Sequence, residues 1–383
     1  MSEAGGRFPL RSWVERSWRG EGPLLAALTL RPLELLYKIG SAIARFRAAR
    51  TRRLLPGIQV IAIGGLTVGG SGKTTLARWA ARAALEAGRR PVILLRGHGS
   101  NAPGRAPQIV PLDAPSIRGA ARRYGDEALA HRAALPESIL VVTGKDRRKA
   151  ASLALESGSD LAILDDGWEQ GALSWSFLWV LLDSPLPFAN GRLLPAGPLR
   201  RPVGNLRQAN VIVNIAEAAS EEPGGMIDSL AEGPPGLPRV RFTRRVESWT
   251  RLGESGRSVV AGNLPDAPRL VISSVGSPDR LERFLRGAGA APADHVAFPD
   301  HGEWDYQLVE RRAAELRART GLAPILLVTD KDEARAAGLA NRGLDVWVVR
   351  STLAPFDDPA PLLAAFGRAS GGSRGGAAGD RLG

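Results

Sequence analysis

The sequence predicts an α/β protein: a three-layer α/β/α domain around a mostly parallel sheet, then a second, smaller α/β domain. Three observations predict it. Residues 57–75 run from an apolar strand through a glycine-rich loop into a helix. Apolar strand candidates then alternate with helical stretches to about residue 215, and a second alternating series starts near residue 270. Strands apolar along their whole length belong to a sheet covered on both faces.

The first 54 residues are expected to form a helical region. Over 23–50, Leu33, Leu36, Tyr37, Ile39 and Ile43 fall near helical spacing, and Lys38, Arg45, Arg47 and Arg50 occupy the later turns, ahead of Arg52 and Arg53. Such a basic amphipathic helix lies on an anionic membrane surface, with apolar side chains inserted and cations at the headgroups. A helix packed on the main domain has the same pattern, and the two roles are compatible.

A nucleotide-binding domain is expected over 55–238. Its first strand, 57–63, leads into Gly64-Gly65-Leu66-Thr67-Val68-Gly69-Gly70-Ser71-Gly72-Lys73-Thr74-Thr75. Glycines let the backbone wrap closely around phosphates, and the open N–H groups of a helix start point at the anion. This is the pattern of a P-loop: Thr67 to Thr75 surround the nucleotide, Lys73 reaches the β- and γ-phosphates, and the Thr74 hydroxyl sits on Mg²⁺. One position departs, since Thr67 stands where the pattern has its first glycine. A plain strand-to-helix turn with a solvated lysine is the alternative, but so many glycines destabilise a loop that binds nothing.

Further strands are expected at 91–95, 138–142, 161–164, 177–182 and 210–214, and helices at 73–87, 126–134 and 146–157. The loop then lies at the carboxyl end of its strand, where open α/β sheets bind ligands. Residues 216–238, rich in Ala, Glu, Pro and Gly, read as a surface excursion, and 239–264 as short strands with turns. The second domain, 239–368, is expected to hold strands at 270–274, 296–298, 325–329 and 346–350 and helices near 279–287, 305–320 and 332–339. The Gly-rich tail 369–383 is expected to be disordered.

Composition narrows the chemistry. The 383 residues suffice for two domains, and the absence of cysteine excludes disulfides, thiolate zinc sites and cysteine nucleophiles. Histidine chemistry must use His98, His131, His295 or His301. The formal net charge of +12 points to anionic partners, although a GC-rich genome also inflates arginine. Nucleic acid is not expected: no RNA- or DNA-binding motif occurs, and the 5% aromatic content offers few stacking platforms. No apolar run is long enough to span a bilayer, and the N-terminus is a poor signal peptide, so a cytoplasmic protein is expected.

The remaining polar clusters each have two readings. Asp165-Asp166-Gly167 ends an apolar strand, where a carboxylate beside a nucleotide holds Mg²⁺, or else forms a turn. Asp126 and Glu127 open a helix, as does Asp146, and could be caps alone. The loop 190–202 is basic and proline-rich; Arg192, Arg200 and Arg201 offer planar donors for phosphate, or are solvated. Phe298-Pro299-Asp300-His301 is a proton-handling pair or a turn, and Thr329-Asp330-Lys331-Asp332 binds part of a nucleotide or caps a helix.

Together these segments resemble the tetraacyldisaccharide 4′-kinase family, the lipid A 4′-kinases. The matching pieces are LTVGGSGKT at 66–74, Leu95-Arg96-Gly97-His98-Gly99, Gly125-Asp126-Glu127, Leu164-Asp165-Asp166-Gly167, NGRLLPAGPLR at 190–200, FPDH at 298–301 and TDKD at 329–332. The family's own loop carries threonine at the position of Thr67. The resemblance implies a second domain joined through a β-ribbon, and an ATP- and Mg²⁺-dependent transfer of the γ-phosphoryl group to the 4′-hydroxyl of a tetraacylated glucosamine disaccharide 1-phosphate. It implies Asp126 as base with His301 as its partner and Lys73 on the transferred phosphate. It further implies Thr74, Glu127, Asp165 and Asp166 as metal ligands, and Arg96 and Arg200 as phosphate contacts. A peripheral protein at the cytoplasmic face of the bacterial inner membrane, acting as a monomer, is expected.

The chain departs from the family at named positions. Glu169 and Gln170 stand where Gln-His is usual, Arg201 where glutamate is usual, and His98 where tyrosine is usual. Glu169 and Arg201 introduce opposite charges and are expected to pair across the cleft. Gln170 cannot carry a proton, and His98 lacks tyrosine's large ring face. The rival class is a membrane-surface P-loop ATPase switch with Gly-Gly-x-Gly-Lys-Thr; those proteins carry a lysine where Val68 stands.

Overall fold

The computed structural model describes residues 18, 24–68, 72–97, 106–114, 119–183, 188, 190–216, 236–253, 258–261, 263–299 and 304–367. The expectations for the tail 369–383 and for most of the first 23 residues lie outside them.

Helix α1 (Leu24–Thr51) is followed by β1 (Gln59–Gly65), α2 (Lys73–Glu86), β2 (Pro91–Leu95), β3 (Gln108–Ile109), α3 (Ala120–Tyr124), α4 (Asp126–Ala134), β4 (Leu140–Thr143), α5 (Arg147–Glu156), β5 (Leu161–Leu164), β6 (Phe177–Asp183) and β7 (Val211–Ala216). The rest comprises β8 (Arg239–Leu252), β9 (Ser258–Ala261), β10 (Arg269–Ser273), α6 (Pro278–Gly287), β11 (Asp294–Ala297), α7 (Tyr306–Thr320), β12 (Ile325–Thr329), α8 (Glu333–Ala340), β13 (Val346–Pro355) and α9 (Ala360–Leu363). The α/β alternation is the one expected, with boundaries moved by caps. Asp146 accepts from the Arg148 and Lys149 N–H groups, and Asp305 from Leu308 N–H, so each stands before its helix. One expectation is corrected: 239–252 is a single 14-residue strand, not several short ones.

Among the described residues, thirteen strands join one sheet, in the order β11-β10-β12-β13-β8-β7-β6-β1-β5-β2-β4-β3, with β9 on β8. In the first block β4, β2, β5, β1, β6, β7 and β8 are parallel, and so are β11, β10, β12 and β13 in the second. Alternate residues of the first block enter opposite cores. Ile61 and Ile63 pack with α2 and α4, whereas Val60 and Ala62 pack with α5 and the residues around Leu206. The second block likewise has a core on each face, one around Val309 and Leu339, the other around Phe284 and Leu285.

The β8–β13 pair is antiparallel, and its register positions the cleft. The first half of β8, Arg239 to Thr243, pairs with β7, while its last residues pair with the start of β13, where β13 also pairs with β12. The two parallel blocks therefore sit at opposite ends of one ribbon. Because the ribbon strands run in opposite directions, the carboxyl ends of the two blocks face each other. A bulge between Arg350 and Ser351 lies midway along it. Residues Ala360 to Phe366 return to the first block, where Phe366 meets the Trp179 ring edge-on at 5.9 Å.

Candidate active site

Between the facing strand ends lies a cavity of about 1710 Å³, lined from both blocks. Gly72 to Thr75 reach it from the start of α2, Arg96 from the end of β2, Asp126 and Glu127 from the start of α4, and Asp165 and Asp166 from the end of β5. Arg200 also lines it from the first block, and Val275, Arg280, Trp304, Asp330 and Arg335 line the other wall. Gly69, Gly70, Ser71, His98 and His301 lie outside the described residues.

The loop entrance explains its departure from the P-loop pattern. Thr67 forms a β-bridge with Leu199, Val68 N–H donates to Pro198 O at 2.9 Å, and Arg200 N–H donates to Leu66 O at 2.6 Å. Extended pairing suits any L-residue, so threonine serves where the pattern has glycine. Gly72 is different: its φ is +86°, and a Cβ there would lie 2.8 Å from Ile215 Cδ1. Gly64 belongs to β1 and lets Trp168 approach, since a Cβ would meet the Trp168 Cβ at 2.5 Å.

The two adjacent aspartates diverge. Asp166 takes left-handed backbone geometry, φ 52°, and aims its oxygens at Lys73 Nζ (3.7 Å) and Arg200 Nη1 (2.8 Å). Desolvation pushes the Asp166 carboxyl up, but Lys73 and Arg200 together outweigh it and hold it below the ordinary value. Asp165 is buried and accepts from His131 Nε2 at 3.0 Å. Burial pushes the fully enclosed His131 imidazole down, against the bond to Asp165. A neutral ring bonded to the Asp165 carboxylate carries its proton on Nε2, and Nδ1 makes no hydrogen bond among the described residues.

Cations crowd the same space. Arg147 is buried, donates to Gly144 O at 2.7 Å, and faces Asp165, Arg96, Asp166 and Glu127; burial pulls it down to about 10. From the second block, Arg335 donates to Asp126 at 2.6 Å and Asp330 pairs with Arg78 of α2. Asp332 instead serves the fold, accepting from Ser274 N–H and the Thr329 hydroxyl. No three His, Cys, Asp or Glu side chains converge as a metal cage among the described residues.

Glu169 and Arg201 form the expected ion pair, but on one wall and not across the cleft. Glu169 lines the cavity, while Arg201 is only 3% exposed behind it, over the Trp168 ring at 4.5 Å and donating to Trp168 O. Gln170 closes a turn: its amide accepts from Ala172 and Leu173 N–H and donates to Leu173 O. Sequence reasoning missed Arg335 and Arg244 as cleft-lining groups, and His131 as the buried partner of Asp165. His131 carried only the signal of a rare residue type, and Arg335 meets its partner across 209 residues, so no local pattern announces it.

α1 docks on the first block through a polar stripe. Glu34 accepts from Leu193 N–H at 2.9 Å and Tyr37 donates to Arg200 O at 3.2 Å. Tyr37 thus belongs to the docked face, not to the outward apolar one. Leu33, Leu36, Ile39, Ile43 and Phe46 are about half or more exposed. No helix among the described residues is long and apolar enough to cross a membrane.

Comparison with known proteins agrees with this arrangement. The family model for tetraacyldisaccharide-1-P 4′-kinase, LpxK, matches residues 26–367. The chain is 34% identical over 353 residues to the tetraacyldisaccharide 4′-kinase of Syntrophobacter fumaroxidans, covering 88% of this chain and 89% of the relative. It is 34% identical over 350 residues to that of a Methylobacterium species, covering 91% and 95%. A crystal structure of LpxK from Aquifex aeolicus in complex with ATP superposes with a TM-score of 0.66 at 25% identity, over 88% of this chain and 98% of that one. The membrane-surface ATPase switch is not favoured. A sheet with facing carboxyl edges, a phosphate loop whose entrance is clamped by the 190–200 segment, and a family match over nearly the whole chain lead to one conclusion: the chain belongs to the tetraacyldisaccharide-1-P 4′-kinase family and is a kinase.

Proposed function

We propose that this cleft transfers the γ-phosphoryl group of ATP to the 4′-hydroxyl of a tetraacyldisaccharide 1-phosphate in lipid A biosynthesis. One observation carries the reading: Lys73 and Thr74, Asp126 and Glu127, Asp165 and Asp166, and Arg200 line a single cavity although they come from four separate segments. Phosphoryl transfer needs positioning and charge neutralisation more than covalent chemistry. Thr67 to Thr75 wrap the nucleotide phosphates, and Lys73, Arg96 and Arg200 neutralise the group in transfer. Asp126 accepts the proton of the 4′-hydroxyl as it attacks, with His301 as its partner on the strength of the family resemblance.

Thr74, Glu127, Asp165 and Asp166 are the proposed magnesium ligands. Magnesium takes one or two carboxylates and fills its remaining positions with phosphate and water oxygens, so one or two of these three carboxylates with the Thr74 hydroxyl would hold it. Bound there, magnesium would neutralise charge on the phosphates. The outward apolar face of α1, with Arg47 and Arg50 beside it, supports a peripheral position on an anionic membrane, at the cytoplasmic face of the inner membrane in this reading.

The test combines purified protein, labelled ATP, Mg²⁺ and the lipid disaccharide in detergent micelles. Label is expected in the lipid, and Asp126→Ala is expected to abolish most of it. Label that stays out of the lipid, or transfer undiminished in the variant, contradicts the reading.

A further inference from the structure

Helix α4 buries a polar group that the proposed chemistry leaves unused. His131 is completely enclosed, although it stands one helical turn beyond Glu127, which lines the cavity. Residues four apart share a helix face. From that face His131 reaches the residue that follows β5: its Nε2–H donates to Asp165 Oδ2 at 3.0 Å. The imidazole makes no other hydrogen bond among the described residues, and its Nδ1 is buried and unbonded. A buried acceptor without a donor is a cost to the fold that an apolar side chain would avoid. Nor is the ring needed by the other charges that face it, since Arg78 and Asp330 pair with each other. Stability therefore does not account for a histidine here. What the histidine does is hold a carboxylate.

That carboxylate is placed differently from its neighbour. Asp166 is held by two cations, Lys73 and Arg200. Asp165 lines the cavity with only 5% of its surface exposed, and the His131 bond is the one side-chain hydrogen bond it accepts among the described residues. A carboxylate bonded to two cations has its charge largely spent. One bonded to a neutral N–H keeps its charge for a metal ion and loses only its freedom to rotate.

The same bond ties the end of β5 to the helix that presents Asp126 and Glu127. It therefore sets the spacing between Glu127 and Asp165, two of the proposed magnesium ligands. Magnesium demands near-ideal octahedral geometry and is sensitive to that spacing. We infer that His131 is a positioning residue for the metal site: by holding Asp165 Oδ2, it orients that carboxylate for a divalent cation. The inference rests on the magnesium assignment above.

An octahedral oxygen site takes Mn²⁺ as well as Mg²⁺, so Mn²⁺ is the probe. Electron paramagnetic resonance measures the Mn²⁺ bound by the full chain with the non-hydrolysable ATP analogue AMP-PNP, and a titration without protein gives the nucleotide's own share. His131→Leu removes the donor. His131→Asn keeps an amide but puts it where Nδ1 stands, out of reach of Asp165, whereas His131→Gln puts one where Nε2 stands. The Leu and Asn variants are expected to raise the Kd for Mn²⁺ by about 10- to 100-fold, and the Gln variant by less than about threefold. Urea unfolding identifies the variants that fold, and Asp165→Asn serves as the reference for a lost ligand. Leu and Asn variants that bind Mn²⁺ within about twofold of the wild type, with Asp165→Asn impaired, overturn the inference and leave the magnesium assignment standing. A loss as large in the Gln variant as in the Leu variant also overturns it, because packing of the ring and not its donor would then matter. Unchanged binding in Asp165→Asn overturns both. None of these readouts requires phosphate transfer, so the kinase reading stands or falls by its own assay.

Discussion

Arg335 of α8 donates to the Asp126 carboxylate at 2.6 Å, so a helix of the second block holds the proposed base of the first. Both side chains are about four-fifths buried. The bond fixes where the carboxylate points, because a guanidinium fork accepts few orientations of its partner. Arg335 is a positioning residue in this reading.

Asp126→Asn should lower kcat by about 10²- to 10⁴-fold, the usual worth of a positioned base. Arg335→Met should lower it by about tenfold, and should add little once Asp126 is asparagine, since the two act as one unit. Steady-state rates of the four forms decide it; factors that multiply would mean that the residues act separately.

Arg201 lies buried between the Trp168 ring and Glu169, whereas the Glu169 side chain is 38% exposed. Glu169→Gln leaves a buried guanidinium without its counter-charge and should cost about 1–3 kcal/mol, with the exposed side of the pair lowering the figure. Exchanging the two charges should not rescue stability, because a carboxylate at 201 would meet the negative face of the indole. Urea unfolding midpoints of the single and exchanged variants check this.

His131 predicts an acid-sensitive fold. Its folded-state pKa is depressed by burial, with Asp165, Arg78 and Asp330 as the charged groups around it. Between that value and about 6.5 the unfolded chain binds a proton that the folded chain refuses. Stability should therefore fall as pH drops below about 6.5, a window above that of the depressed carboxylates Asp166 and Asp330. His131→Gln, which keeps a donor for Asp165, should flatten the slope of unfolding free energy between pH 7 and 5. An unchanged slope would assign the acid sensitivity to other groups.

Asp330 and Arg78 tie the two sides of the cleft together. Burial pushes the Asp330 carboxyl up, but Arg78, with help from Arg350, outweighs it and holds it low. The contribution of this pair is thus present above the ordinary carboxylate value and is lost as pH falls through the depressed one. Asp330→Asn strands Arg78, which is only 5% exposed, and should cost about 3 kcal/mol. Arg78→Met in the same chain should restore part of that, read by thermal or urea unfolding.

Leu36 is 66% and Ile43 48% exposed on the outward face of α1. Replacing both by serine should weaken binding to anionic vesicles by about tenfold or more, from the apolar area no longer inserted. Vesicle co-sedimentation measures it. Binding that survives the double substitution would move the membrane contact to another surface.

The alternation of apolar runs with helical stretches was enough to read the α/β class, since a strand buried on both faces must be apolar throughout. Gly72-Lys73-Thr74 and Asp165-Asp166 were legible because a phosphate loop and the strand ends beside it are local patterns, complete within a few residues. The opposite charges at Glu169 and Arg201 were also legible, but not their placement on one wall, because burial of Arg201 depends on Trp168 and on the path of the 190–201 loop.

The sequence by itself determined the class of fold, the phosphate loop and the segments that resemble the family, because each is written in neighbouring residues. Only the tertiary structure decided that β8 and β13 form one ribbon with the parallel blocks at its two ends, so that their carboxyl edges face. It alone joined Arg335 to Asp126, His131 to Asp165, and Arg52 to Gln170 on the cleft wall. Register and burial create those pairs, and neither is a property of any short stretch of chain.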